Sequence, residues 1–509
     1  MTPNPQPAIT RPPALGSLQL VVLLLSVATT AATWLAFMLK VPALRWSAEP
    51  LPFEEIGRSA WGIGPTTDTT AFLAALLLAY VALAWVVWTA DADLPAGLML
   101  TTSALSGVFA LFTYALFAED VNVVLASVWT YAMAGFNPYV VTPNMVFGNP
   151  FSDLTAWGNL EYVYGPAWLP ISGGLMKVIG PNVVANVMST KVLMLGTLWV
   201  MGVIAWSLAR VRGADKPVAA TALVVLNPLL LTDGVMTPHL DLPMAAAIMA
   251  ALLAWASRRE GDAIALFALS IAIKFITVVL APLVGFGIAV GLLFTGENRR
   301  RRALITVASL AATALAMAAL WPLAWKPFLD HGMQTSLEIN SNSALIPNVI
   351  SGLQAAGLLS EAIAPVPEVK AFRWPLFLAF WTLATALGAL VAWKRSRELP
   401  YALCPPLALI MLGYHLLFTI WFLPWHLLTA LCVCLIGMDR TALLAAVLIT
   451  VGGMLLYLNA QWVWVHPWSD LRAISWILSA SLVSGPIVAA LVLAASTVRG
   501  LQVRPSAPK

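Results

Sequence analysis

The feature that most limits what this chain can fold into is the recurrence of apolar runs long enough to cross a bilayer. The first, residues 18–38, carries no charged side chain, and comparable runs recur along the chain. A hydrocarbon core of ~30 Å takes about 20 apolar residues per helical crossing. Open sheets and irregular loops cannot satisfy their backbone in lipid, so such runs select helices. Of the 509 residues, 60% are hydrophobic and only 10% are charged, against about 25% charged in soluble domains. The fold class is therefore all-α, a polytopic integral membrane protein.

Counting apolar runs predicts about 13–14 transmembrane helices. They fall near residues 18–39, 71–90, 97–117, 183–209, 217–233, 242–257, 263–277, 279–295, 303–322, 374–393, 401–419, 423–438, 441–458 and 473–495. The piece 166–180 is short, broken by Gly173-Gly174 and ended by Gly180-Pro181, and reads as re-entrant or interfacial. Residues 1–17 and 499–509 read as cytoplasmic tails around a membrane domain at 18–498, with an outer loop at 118–165 and an outer flap at 323–372. The first run is longer than a signal-peptide core and lacks a convincing small-residue cleavage site, so it reads as a retained span.

Charge tests this layout. With the N-terminus inside, Arg210, Arg212, Lys216, Arg258, Arg259, Arg299 to Arg302, Lys394, Arg395, Arg397 and Arg440 all fall on the inner side. That is a strong positive-inside bias. The net charge of +4 therefore reports topology, with no nucleic-acid partner implied. The same layout sends Glu119, Asp120, Asp233, His239 and Asp241 outward. Cys404, Cys432 and Cys434 all lie in apolar runs and suggest neither a disulfide framework nor a metal site.

The stretch 114–170 gathers the most chemistry. Glu119-Asp120 stands where an apolar run meets a semi-polar aromatic segment. A carboxylate there is partly desolvated, which raises its pKa and makes it a competent proton acceptor; acids at outward helix ends are also commonly just solvated. Downstream, Asp233 with Pro238-His239-Leu240-Asp241 could hold a phosphate or a divalent cation (Mg or Mn), although His-x-Asp alone is unspecific and an ordinary polar turn has the same composition. Lys274 interrupts an apolar run at a cost of about 2.5–3.5 kcal/mol, so it faces a cavity or snorkels; Lys177 and Lys191 raise the same question less sharply. Arg373 stands just outside a span and could pair a lipid phosphate or anchor to head groups. Trp425 and His426, in the run 421–426, either stack a sugar ring and contact phosphate or belong to an interfacial belt.

Five short motifs then line up in order: Asp120 at the loop opening, Gly135-Phe136-Asn137-Pro138-Tyr139, Tyr164-Gly165-Pro166-Ala167-Trp168, Asn227-Pro228-Leu229, and the His239–Asp241 cluster. The aromatic junction at 421–426 follows. Over about residues 114–440 the chain resembles the GT-C superfamily of membrane glycosyltransferases. Within it the chain is most similar to the bacterial polyprenol-phosphate-mannose-dependent α-1,6-mannosyltransferases. Where that family shows Gly-His-Asn-Asp, this chain has Pro-His-Leu-Asp, and Glu119 precedes the loop-opening aspartate.

The resemblance implies a hexosyltransferase of the cell envelope in a bacterial plasma membrane, acting on the outer face with both termini inside. It implies a polyprenyl-phosphate-linked sugar donor, mannose for this family, a glycan or glycolipid acceptor, and inversion. Asp120 would be the general base, with Glu119 orienting it or sharing its proton. His239, Asp241, Lys274, Arg373, His426, Tyr139, Tyr164 and Trp425 would bind donor phosphate and sugar. A transporter or flippase of lipid-linked saccharides is the alternative. Such proteins favour paired half-repeats with charges near the midplane, whereas here the acids gather at one surface and no repeat is visible.

Overall fold

The computed structural model describes residues 14–41, 67–115, 120–155, 157–294, 298–332, 354, 357, 366–419, 422–437, 439–465 and 472–502; within these, the side chains of 67–69, 331–332, 366–373, 458–465 and 472–484 are not described. The described elements are all helical. In chain order they are α1 (Ser17–Lys40), α2 (Thr67–Thr89), α3 (Ala96–Phe112), α4 (Asp120–Ala132), α5 (Trp168–Ile179), α6 (Val183–Arg212), α7 (Pro217–Val225), α8 (Pro228–Met236), α9 (Asp241–Ala256), α10 (Glu260–Ile273), α11 (Phe275–Phe294), α12 (Arg299–Ala319), α13 (Val366–Lys394), α14 (Tyr401–Phe418), α15 (Pro424–Gly437), α16 (Arg440–Val465) and α17 (Arg472–Gln502).

Among the described residues nine helices are long and apolar enough to cross a membrane, or ten if the bent pair α7–α8 is one span. The apolar runs outnumber these because those at 97–117, 242–257, 263–277 and 423–438 form α3, α9, α10 and α15, which are shorter than the usual crossing length. The pair α7–α8 bends by 44° at Asn227. The Asn227 side chain accepts from the N–H groups of Leu229 and Leu230 and donates to Thr450 Oγ1 at 3.0 Å. Asparagine as the cap followed by proline in the first turn is a helix start, so the Asn-Pro-Leu motif builds in the bend.

The bundle is layered by burial. α14 and α15 are enclosed over the stretches Cys404–Gly413 and Leu428–Gly437, and most of α9 is likewise buried. α12 instead buries only Thr306 and leaves Leu304, Val307, Leu310 and Leu315 exposed. An apolar surface of that extent on a membrane-length helix is one that lipid covers.

The expected loop 118–165 is part helix. Residues 120–132 form α4, whose buried Val121, Val124, Leu125 and Val128 recur at helical spacing. The polar content that read as loop is turned to use: Asn122 Nδ2 donates to the Leu154 carbonyl at 3.0 Å, and Asn149 Nδ2 to the Ala126 carbonyl at 3.0 Å. Asparagines thereby fasten the irregular segment onto α4. α5 has 12 residues, or about 18 Å at 1.5 Å per residue, too short to cross. It packs on α4, with Gly173 close against Tyr131 and Ala132. Most of the expected flap, residues 333–350 included, lies outside the described residues.

α9 and α10 form an antiparallel hairpin that positions the site. They pack against each other and reverse at Ser257–Arg259, where Arg258 takes a left-handed backbone with φ 61°. Asp241 opens α9 and Lys274 follows the end of α10. One end of the hairpin therefore holds Asp241 and Lys274 together, and the other end holds Arg258 and Glu260.

Candidate active site

At the Asp241–Lys274 end, three carboxylates, an imidazole and an amine converge. Lys274 Nζ lies 2.7 Å from Asp241 Oδ2, with the two side chains 11% and 2% exposed. Lys274 Nζ also stands 5.5 Å from the centre of the Tyr164 ring. The Tyr164 hydroxyl donates to Asp120 Oδ1 at 3.0 Å, while Asp120 Oδ2 faces His239 Nε2 at 3.5 Å. His239 Nδ1 lies 3.0 Å from the Asp233 backbone carbonyl. A carbonyl can only accept, so Nδ1 carries the hydrogen and Nε2 is turned to Asp120.

Each side chain has a local cause for its position. Gly165 and Ala167 donate backbone N–H groups to the carbonyls of Ile273 and Ala272, at 3.0 and 2.8 Å, which brings Tyr164 over Lys274. A β-carbon at Gly165 would stand 2.1 Å from the Ala272 carbonyl oxygen, so the Tyr-Gly-Pro motif needs its glycine for close backbone approach. Tyr139 is buried and donates its hydroxyl to the Tyr164 carbonyl at 2.9 Å. Asn137 accepts from the Tyr139 N–H at 3.0 Å, and its amide donates to the Leu323 carbonyl at 2.9 Å. The Gly-Phe-Asn-Pro-Tyr turn thus braces the tyrosine that braces Tyr164.

Behind His239 runs a column of rings. Its imidazole stacks on Trp425 with centroids 4.0 Å apart. His426 meets Trp425 edge-on at 5.9 Å and stacks with His415 at 4.8 Å. His426 Nδ1 accepts from the Leu423 N–H at 3.3 Å, so this imidazole serves the local turn.

The charges set one another. Burial works to raise the pKa of Asp120, the direction expected from sequence, but His239, then Tyr164 and Lys274, outweigh it and hold the carboxyl below its ordinary value instead. Burial works to lower the pKa of His239, but Asp120, then Asp233 and Asp241, outweigh it and raise it. Burial, followed by Asp120 and Asp241, pushes the Tyr164 phenol well above its usual value, so it remains a donor at neutral pH. Asp120 is thus an ionised carboxylate with two donors around it, at the N-terminus of α4, where the helix dipole adds to the same effect.

Of the residues expected from sequence, Asp120, Tyr139, Tyr164, His239, Asp241, Lys274 and Trp425 come together, and His426 stands one ring further out. Glu119 lies outside the described residues, as does the side chain of Arg373. Lys191 is not part of the cluster: its buried amine donates to the Thr113 carbonyl. Asp233, expected beside His239 and Asp241, joins them, and His415 joins without having been singled out. Both Asp233 carboxylate oxygens are buried without a hydrogen-bond partner, and so is His415 Nε2. For His415 the available signal was an imidazole inside an apolar run. Among the described residues no three His, Cys, Asp or Glu side chains are arranged to hold a metal ion.

Fold and site together define a polytopic all-α membrane protein with a carboxylate–imidazole–amine cluster at one end of its bundle. The profile described as "Alpha-(1->6)-mannopyranosyltransferase, N-terminal domain" matches residues 23–290, more than half of the chain, and the chain belongs to that family. It is 27% identical over 254 residues to alpha-(1->6)-mannopyranosyltransferase A of Corynebacterium glutamicum, a match covering 46% of this chain and 49% of that protein. The match thus spans about half the length of this curated relative. The family segment holds Asp120, Tyr139, Tyr164, Asp233, His239, Asp241 and Lys274, whereas Trp425, His426 and His415 come from beyond it.

Proposed function

We propose that this chain is a membrane glycosyltransferase that moves mannose from a polyprenyl-phosphate donor to a hydroxyl of a glycan or glycolipid, with inversion. The observation that carries the reading is the state of Asp120. Its side chain is 24% exposed, whereas Asp233 and Asp241 are enclosed at 0% and 2%. Asp120 is thus the carboxylate of the three that a substrate can reach, and it is held ionised. A general base needs both properties. Mannose is supported by the family and by the named activity of the relative. Action on the outer face is supported by the collection of basic residues at the opposite ends of the helices.

In this mechanism the acceptor oxygen attacks the anomeric carbon as its proton passes to Asp120. The bond from the anomeric carbon to the phosphate oxygen breaks, and its electron pair leaves with the lipid phosphate, which gains one negative charge. Lys274 and protonated His239 are the cations at hand for that charge. Protonation of Asp120 removes the counter-charge of His239 at the moment the leaving phosphate needs it. Tyr164 keeps Asp120 oriented, and Asp241 holds the amine of Lys274 in place.

The test is transfer from radiolabelled polyprenyl-phosphate mannose in membranes carrying either wild type or Asp120→Asn at equal protein level. General-base loss predicts a fall of roughly 10²–10⁴-fold. Equal transfer by the two proteins would remove Asp120 from the mechanism. A wild type that transfers nothing yet moves lipid-linked saccharide across vesicles would put the flippase reading in its place.

A further inference from the structure

The other end of the α9–α10 hairpin carries a second polar cavity, of about 330 Å³, lined among others by Arg212, Arg258, Glu260, Arg302, Arg397 and Glu398. That volume is at the lower end of small-molecule sites, roughly 300–1,000 Å³. Both of its carboxylates are already engaged. Glu260 is 2% exposed and takes a two-pronged pair from Arg302, and Glu398 pairs with Arg395. Arg212 donates to the Gly437 carbonyl and lies 5.0 Å over the Tyr401 ring, contacts that fix it without neutralising it. Arg258 and Arg397 are exposed and have no carboxylate partner among the described residues.

Arg258 carries a second signal. Its backbone sits at φ 61°, just past α9, where the chain reverses; its N–H donates to the Trp255 carbonyl at 2.9 Å and that of Arg259 to the Ala254 carbonyl at 2.8 Å. This left-handed position after a helix is one that glycine normally takes. A side chain with a β-carbon there is disfavoured, and an observed outlier of this kind points to a use for the side chain.

We propose that this cavity binds a phosphate group, with Arg258 and Arg397 as its main ligands and Arg212 behind them. Guanidinium forks match phosphate oxygens two at a time. The cavity lies between helices at the end of the bundle where Arg299 to Arg302, Lys394 and Arg395 also collect, a setting that suits lipid head groups. The phosphate is that of an anionic phospholipid or of a soluble anion, and the site is separate from the Asp120 cluster, so it stands or falls independently of the proposed transfer.

The experiment uses the purified full chain in zwitterionic detergent. Thermal unfolding is followed while phosphatidylglycerol, inorganic phosphate or, as the ionic-strength control, chloride is titrated. Wild type is stabilised by phosphatidylglycerol or by phosphate beyond the chloride effect, and the responding probe identifies the source. Arg258→Gly relieves the backbone and removes the guanidinium. It unfolds no earlier than wild type without ligand, yet its apparent affinity falls at least about tenfold, as does that of Arg397→Gln. Stabilisation by neither probe, or stabilisation unchanged in both variants, overturns the proposal.

Discussion

The two ends of the α9–α10 hairpin treat charge in opposite ways. At the Asp241 end the described basic groups of the cluster each face a carboxylate: Lys274 faces Asp241, and His239 faces Asp120. At the Arg258 end guanidiniums outnumber carboxylates, and both carboxylates are taken by other arginines. Internal pairing keeps a charge poised until chemistry disturbs its partner. Surplus charge awaits an anion from outside. The first arrangement suits a reaction, the second a resting ligand.

The largest effect expected from this contrast is on stability. Lys274→Ala leaves Asp241 buried without its cation, and breaking a buried pair costs about 3–5 kcal/mol. Arg258→Gln removes an exposed charge and stays within about 0.5 kcal/mol. Unfolding of both variants in one detergent compares them directly; equal losses would dissolve the distinction between the ends. Next in size is Gly165→Ala. Its new β-carbon meets the Ala272 carbonyl, and overpacking of this kind costs about 1–3 kcal/mol. Because Tyr164 and Lys274 hang on that contact, transfer falls with it. A variant of normal stability and rate would show that the backbones can part without disturbing the site.

The next effect is on pH dependence. In the proposed mechanism Asp120 must be ionised to accept a proton, and its pKa is depressed, so activity is expected to be lost only as pH falls through a value below the ordinary carboxylate. His239 must be protonated to meet the leaving phosphate, and its pKa is raised, so the alkaline limb lies above the ordinary imidazole value. In His239→Gln, burial of Asp120 is no longer outweighed by the imidazolium, and the acid limb moves to higher pH. A profile of kcat/KM against pH in which that limb stays in place would argue against the pair. The smallest effect is Arg258→Gly in the absence of ligand, a gain of a few tenths of a kcal/mol at most, read from the same unfolding curves.

Much of this site could be read in the sequence because its contacts are announced by residues with few other uses. A glycine between Tyr164 and Pro166, a lysine inside an apolar run and an asparagine before Pro228 each imply a local geometry, and each has a stated contact in the fold. The stack of Trp425 on His239 gave no such warning. Its partners are far apart in sequence, and the aromatic run 421–426 reads more readily as an interfacial belt. His415 was hidden in the same way, its imidazole being one polar residue in a buried helix. Residues 120–132 read as loop since Asn122, Ser127 and Thr130 dilute the apolar pattern; in the fold, Asn122 fastens the loop, while Ser127 and Thr130 donate to carbonyls one turn back on α4. Polarity in a membrane protein does not by itself separate loop from helix when the side chain can satisfy backbone groups.

The hairpin is pinned at its open end by Lys274 on Asp241, and beside the reversal Arg302 of α12 ties Glu260 of α10 to a third helix. A piston-like slide of α10 along α9 by one turn, about 5.4 Å, would carry Lys274 away from Asp241 and Glu260 away from Arg302 together. Any rearrangement that keeps these two pairs therefore leaves the register of the hairpin fixed.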